Sequence, residues 1–346
     1  MDEGIKRVEA RLHGLDLFGE PVGRQLPGPL ALRFGVPPFS VLDARAGNWQ
    51  ARKRAWVAIG LRGEEGRDVS PGGASMLSAT YGRDHRRGDG RGRAVLSEEG
   101  GGADTGAQST SIFDPVLCEC VYRWFCPPGG QVVDPFCGGP VRGLVAAYCG
   151  LQYWGCDLRP EQVDENYAAW CGVRMPPEAH KPLWVVGESK ALAPQAPRAD
   201  FIFSCPPYWN LERYSDAKAD LSTMSWEEFV AAHGAIIGAY ARVLRSDRFA
   251  VWVVGDVRDK QTGAVHRLAD ITVSAFEASG FILYNNVVFC TPLGSNGFRA
   301  ARVFPATRKL LPVHQNVLVF YRGNTKAITR LEKQVRGWGG AENETQ

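Results

Sequence analysis

The sequence predicts an α/β protein: a mostly parallel, seven-stranded sheet with an antiparallel edge, plus a small N-terminal unit. Three observations predict it. Short apolar runs, several ending in an acid, alternate with segments of helical periodicity through residues 111–325. The first run leads into a glycine-rich bend, V-V-D-P-F-C-G-G-P-V-R-G from Val132 to Gly143, as where a parallel strand hands over to a helix. The last two runs, Phe281 to Cys290 and Val313 to Tyr321, have no crossover pattern between them and read as the antiparallel edge.

In chain order, residues 1–71 form the N-terminal unit. F-G-V-P-P-F-S-V-L-D (Phe34 to Asp43) is extended and punctuated by proline, and Trp49 to Leu61 has helical spacing. There Arg52, Lys53 and Arg54 make a basic cluster beside two tryptophans, either a nucleic-acid contact or a solvated helix face. Residues 72–110, rich in Gly and Arg, cannot bury enough apolar surface to offset their ordering entropy and read as a linker or loop.

The main domain, 111–325, begins with a helix entered through Asp114-Pro115, an N-cap followed by proline at the first helical position. Strand one is Gln131 to Asp134, followed by a helix from Val141; strand two, Gln152 to Asp157, is followed by a helix from Pro160. Strand three runs from Leu183 into Glu188 and Ser189, and strand four, Asp200 to Cys205, runs directly into Pro206-Pro207-Tyr208. A helix from Trp226 carries a capping box at Ser225 and Glu228, and strand five is Phe249 to Asp256. A helix around His266 to Ser279 ends at Gly280, and a basic loop with Arg299, Arg302, Arg308 and Lys309 joins strands six and seven. Residues 326–346 are a tail.

At 346 residues and 45% hydrophobic content the chain can bury a full core. A formal charge of +3 does not itself establish a polyanionic partner, so any nucleic-acid surface must be local. No long apolar run or signal-peptide pattern occurs, which predicts a cytoplasmic protein without membrane contact. Nine cysteines, an odd number within apolar patterns, read as reduced thiols, and Cys118, Cys120 and Cys126 lack a partner set with zinc spacing, so no metal is expected.

Ligands of such sheets bind at the carboxyl ends of the strands, where Asp134, Asp157, Glu188 and Cys205 converge. The acid Asp134 before the bend argues against a phosphate cradle and for a cationic or hydroxyl-bearing group. Asp157 lies 23 residues on, close to the spacing that places an acid on ribose hydroxyls.

With D-P-F-C-G-G at Asp134 to Gly139 and C-P-P-Y at Cys205 to Tyr208, the chain resembles the class I S-adenosylmethionine-dependent DNA methyltransferases, of the amino-methylating (N4-cytosine or N6-adenine) type. The resemblance spans about Ser111 to Gly323, and the leader from Phe34 to Asp43 resembles phage and prophage DNA methylases. It implies a Rossmann-like methyltransferase fold, DNA as partner, and a bacterial or phage-infected cytoplasm; it leaves oligomeric state, including a homodimer, open. By position, Asp134, Phe136, Cys137, Gly138 and Gly139 would surround the methionine part of S-adenosylmethionine. Asp157 and Leu158 would meet the ribose, and Glu188 with Ser189 the adenine. The product would be S-adenosylhomocysteine.

In the family, a side-chain acceptor and a proline carbonyl hold the exocyclic amine, and the tyrosine stacks on a base turned out of the duplex. Here Cys205 stands where Asp, Asn or Ser is usual, and a thiol is a weak acceptor. Three accounts follow. Ser204 or the backbone takes over the acceptor role; or Cys205 is a thiolate nucleophile for C5-cytosine methylation, with an acid such as Glu212; or the protein binds DNA without catalysis. Tyr208 and Trp209 would form the stacking platform, and the basic loop with Arg299, Arg302, Arg308 and Lys309 would touch DNA. An RNA methyltransferase on the same fold is a further alternative.

Overall fold

The computed structural model describes residue 30 and residues 34–61, 113–211, 213–259, 261–293 and 296–328. The Gly/Arg-rich stretch, Glu212 and nearly all of the tail lie outside the described residues. Strand β1 (Val41–Asp43) and helix α1 (Gly47–Ala58) come first. Then α2 (Pro115–Phe125), β2 (Gln131–Asp134), α3 (Val141–Tyr148), β3 (Gln152–Asp157), α4 (Pro160–Gly172), β4 (Leu183–Val186) and β5 (Ala199–Ser204) alternate along the chain. The second half runs α5 (Trp226–Ala241), β6 (Leu244–Val254), the hairpin β7 (Val257–Arg258) and β8 (Val265–His266), and α6 (Leu268–Ala278). It closes with β9 (Ile282–Cys290), α7 (Asn296–Thr307) and β10 (His314–Arg322).

Eight strands form one sheet in the order β1-β9-β10-β6-β5-β2-β3-β4. Strands β4, β3, β2, β5 and β6 are mutually parallel, and β10 runs antiparallel between β6 and β9. All seven strands expected from the sequence are present in this Rossmann-like α/β fold. The eighth, β1, adds parallel to β9 with Val41 opposite Val288.

The period of two along each strand sends alternate residues to opposite faces. Val132, Phe201, Phe203, Val251 and Val253 join one core with Trp49, Leu117, Tyr122 and Leu144 from α1, α2 and α3. Val133, Ile202, Ala250, Trp252 and Val254 join the other with Phe229, Ile237, Tyr240 and Phe276 from α5 and α6. Covering both faces explains why the central strands read as unbroken apolar runs.

The caps read from sequence form as hydrogen bonds. Asp114 accepts from the amides of Val116 (2.9 Å) and Leu117 (3.2 Å), and Ser225 and Glu228 complete a capping box. The N-terminal residues are built onto the same core as the rest. Trp49 Nε1 and Lys53 Nζ donate to Asp114, while Trp56 Nε1 and Arg52 donate to Glu119, which is buried on α2. Arg52 and Lys53 therefore do not make the basic DNA-facing cluster expected of them; two buried acids draw them inward. Arg54 alone of the three is exposed.

Candidate active site at the carboxyl edge of the sheet

Neighbouring strands β3, β2, β5 and β6 bring Asp157, Asp134, Ser204 and Val254 to one edge. The glycine-rich turn leaves β2 there and the C-P-P-Y turn leaves β5 beside it.

Asp134 is fully buried, and four donors saturate it. They are Arg142 Nε (2.6 Å), Tyr153 Oη (2.7 Å), Ser204 Oγ (2.6 Å) and the amide of Phe136 (3.1 Å). Arg142 also donates to the carbonyls of Phe136 and Cys137, and its guanidinium lies over the Phe113 ring at 4.6 Å. A buried carboxylate is tolerated only when paired and hydrogen-bonded, and this one uses its partners to fix the backbone of residues 134–137. Asp134 thus holds the turn from beneath rather than facing a cationic ligand, which corrects its assigned role. Cys137 is likewise buried, its amide donating to Cys156 O at 3.0 Å, so its thiol does not line a ligand surface.

The far end of the turn is latched from α4. Asn166, fully buried, donates from Nδ2 to Gly138 O at 2.8 Å and accepts from Gln162 Nε2 at 3.1 Å. Gly138 adopts φ +47°, a left-handed conformation that favours glycine. A Cβ on Gly138 or Gly139 would meet no atom within 4 Å, so the upper side of the turn is open.

Asp157, at the end of β3, is half-buried and accepts from the amide of Arg159 at 2.9 Å. Burial raises its carboxyl above the ordinary value, against the lowering effect of the Arg159 and Gly138 amides. Leu158 is half-buried beside it, Glu188 is exposed at the end of β4, and Ser189 is buried with an Oγ that has no hydrogen-bond partner. Phe136, half-buried, packs edge-on against Trp252. An open glycine turn, a carboxylate one strand over and an orphaned hydroxyl two strands over suit an elongated nucleoside ligand.

On the other side, Ser204 is fully buried and its hydroxyl is committed, donating to Asp134 and accepting from Phe136 N at 3.1 Å. It is not free to replace the missing amine acceptor, so of that account the backbone alternative is the one that stands. Cys205 and Pro207 are half-buried, Pro206 is buried, and Cys205 Sγ lies 3.5 Å from Tyr208 Oη. Burial, then the nearby Cys205, push the Tyr208 phenol well above its ordinary value, so it stays protonated. A side chain on Gly255 would meet the Tyr208 ring at 3.2 Å; glycine there lets the ring lie against the end of β6.

Trp209 is not a stacking platform. It is 7% exposed, donates from Nε1 to Met224 O at 3.0 Å, and packs edge-on against Trp226 and His266. Its backbone sits at φ +47°, a strained conformation for tryptophan that this packing holds in place. Arg299, Arg302 and Arg308 are exposed and Lys309 half-buried, and Arg299 and Arg302 lie on a helix, α7, rather than in a loop. Sequence reasoning missed Arg142, Tyr153 and Asn166; the only signal was an Arg eight residues after the acid, which spacing alone leaves ambiguous.

All nine cysteines are free. Among the described residues no group of His, Cys, Asp or Glu is placed to hold a metal ion, and no helix is long and apolar enough to cross a membrane.

No family model matches the chain, and no curated protein matches it. Solved structures resemble it at low identity. TrmN from Thermus thermophilus is 15% identical, with 61% of this chain and 49% of that one covered, at a TM-score of 0.39. A TehB-like SAM-dependent methyltransferase from Corynebacterium glutamicum is 18% identical over 62% of this chain and 91% of that one, at 0.38. A SAM-dependent methyltransferase from Methanosarcina mazei is 14% identical over 57% and 95%, at 0.40. The chain spans about half the length of TrmN. At these identities and scores, no substrate transfers from them to this chain.

Proposed function

We propose that this protein is an S-adenosylmethionine-dependent DNA methyltransferase that acts on an exocyclic amine of a base turned out of the duplex. One observation carries the reading: two motif turns on the paired strands β2 and β5 are joined by Ser204, which bonds both Asp134 and Phe136 N. A turn open to a nucleoside cofactor and a Pro-Pro-Tyr turn suited to a base are thereby held as one unit.

The residues present fit the cofactor. Gly138 and Gly139 leave room along the turn, Asp157 offers a carboxylate to the ribose diol, and Ser189 offers an unmatched hydroxyl near the adenine end. When bound, S-adenosylmethionine supplies an electrophilic methyl group on a sulfonium. The chain's own residues do the positioning. An amine conjugated to a base ring is a weak nucleophile, and its N–H groups need acceptors that turn the lone pair toward the methyl. With Ser204 committed and Cys205 a poor acceptor, that duty falls to backbone carbonyls of the C-P-P-Y turn. The Tyr208 ring, packed against β6, is the surface for the flipped base.

The test is mass spectrometry of nucleosides from DNA incubated with the protein and labelled S-adenosylmethionine. N6-methyladenine or N4-methylcytosine is expected. 5-Methylcytosine would instead favour Cys205 as a nucleophile, methylation of RNA alone would move the substrate, and no transfer to DNA or RNA would refute the reading. Cys205→Ser provides a second arm: amine methylation should survive or rise, because a hydroxyl is the better acceptor, whereas attack through sulfur would be lost.

A further inference from the structure

The segment between β9 and β10 is unlike the rest of the chain. From Thr291 to Val313 it carries Arg299, Arg302, Arg308 and Lys309 and no acidic residue. It forms α7, and no residue of that helix is buried. Phe298 is 88% exposed, Leu310 75% and Phe304 41%. A helix of this length is marginal in water without tertiary packing, so α7 presents a face that its own fold does not use.

Its position is set by topology. Because β9 runs parallel to β6, Cys290 ends at the carboxyl edge, and the segment returns to that edge as β10 begins. A side chain on Gly255 would meet Tyr208 at 3.2 Å and Gln315 of β10 at 4.0 Å, so the root of the segment lies beside the proposed base surface. Lys309 Nζ would lie 3.7 Å from a Cβ on Gly263, next to the hairpin that follows β6.

We propose that α7 enters a groove of duplex DNA beside Tyr208, with Arg299, Arg302 and Arg308 on phosphates and Phe298 against the base stack. This rests on the proposed function, and it adds the docking element and the role of Phe298. Charge selects the occupant. Four cations with no acid complement a polyanion and repel a symmetric copy of the same segment. A major groove admits an α-helix, and an exposed phenylalanine at its tip is the kind of apolar wedge that unstacks a base step.

The test is anisotropy binding of the full-length protein to a fluorescein-labelled duplex across a salt series. Replacing Arg299, Arg302 and Arg308 together by serine should flatten the log–log salt dependence by up to about 2.7, at ~0.9 for each phosphate no longer neutralised. Phe298→Ala should weaken binding on the order of tenfold or more while leaving the salt slope unchanged. Since α7 buries nothing, both variants should keep the parent melting temperature and its calorimetric affinity for S-adenosylhomocysteine. Unchanged duplex affinity and slope in both variants would overturn the proposal. So would an effect confined to binding of phosphatidylserine vesicles, or dissociation of a dimer with duplex binding intact. If the parent fails to bind S-adenosylhomocysteine yet its duplex binding still depends on α7, the methyltransferase reading falls and this inference stands.

Discussion

The glycine turn after β2 and the helix α7 after β9 sit on one edge of one sheet and are built in opposite ways. Side chains from α3, β3, α4 and β5 fix the turn: Arg142, Tyr153, Asn166 and Ser204 are all buried, and all hydrogen-bond within it. No residue of α7 is buried at all. A cofactor common to every turnover rewards a preformed cradle, because preorganisation lowers the ordering cost of binding. A large partner can supply the missing half of an interface itself. On the proposed reading, the contrast assigns rigidity to the side that would hold the cofactor and leaves completion of the other side to the partner.

The strongest attack on this contrast is Arg142→Met. It leaves Asp134 buried with its principal counter-charge gone, which costs about 3–5 kcal/mol. Urea unfolding should show this loss, and Asp134→Asn should show a comparable one. Less than about 1 kcal/mol from either would mean the turn is not held by this pair.

A second test probes the other face of the sheet by pH. His233 on α5 is buried; its Nε2 meets Thr272 Oγ1 at 3.2 Å, and its Nδ1 has no partner. Because Thr272 Oγ1 donates to Leu268 O, Nε2 is the histidine donor and the ring is neutral. Burial lowers its pKa from 6.5 to about 4. The unfolded chain therefore binds a proton before the folded one does. Stability is unaffected above pH 6.5 and falls as pH drops toward 4, by up to about 3 kcal/mol. His233→Phe should remove that slope in chemical unfolding measured across the window; an unchanged slope would locate the pH dependence elsewhere.

Most of this architecture was legible in the sequence, and the exceptions share a cause. Strand runs, Asp114-Pro115, the Ser225–Glu228 box and the two motif turns are local patterns, and each forms where expected. What escaped depends on tertiary partners. Trp209 and Ser204 looked like site groups because they flank the C-P-P-Y turn, but Met224 and Asp134, distant in sequence, draw them inward. Arg52 and Lys53 looked like a basic patch until Glu119 and Asp114 came opposite them. Helix α7 read as a loop because Pro305 lies inside it, where proline ordinarily breaks a helix.

Two smaller effects refine the picture of the turn. Asn166→Ala removes the buried donor to Gly138 O and one of the acceptors of Gln162, which should lower stability by about 1–3 kcal/mol. Gly138→Ala meets no steric obstacle, so its cost is the left-handed backbone alone, about 1–2 kcal/mol. Both should weaken binding of S-adenosylhomocysteine in calorimetry more than they weaken duplex binding. Equal losses of both would dissolve the division between the two sides.

The smallest expected effect is the most telling for α7. Phe298→Ser removes a large apolar side chain, and in a core such a change would cost several kcal/mol. Here the ring is 88% exposed, so folding recovers almost no apolar burial from it. Its loss should therefore shift unfolding free energy by no more than about 0.5 kcal/mol, within the range of ordinary surface substitutions. A clear destabilisation by thermal or urea unfolding would mean that Phe298 packs against this chain in solution. The helix would then be part of the fold, and its arginines would no longer mark a surface kept for another molecule.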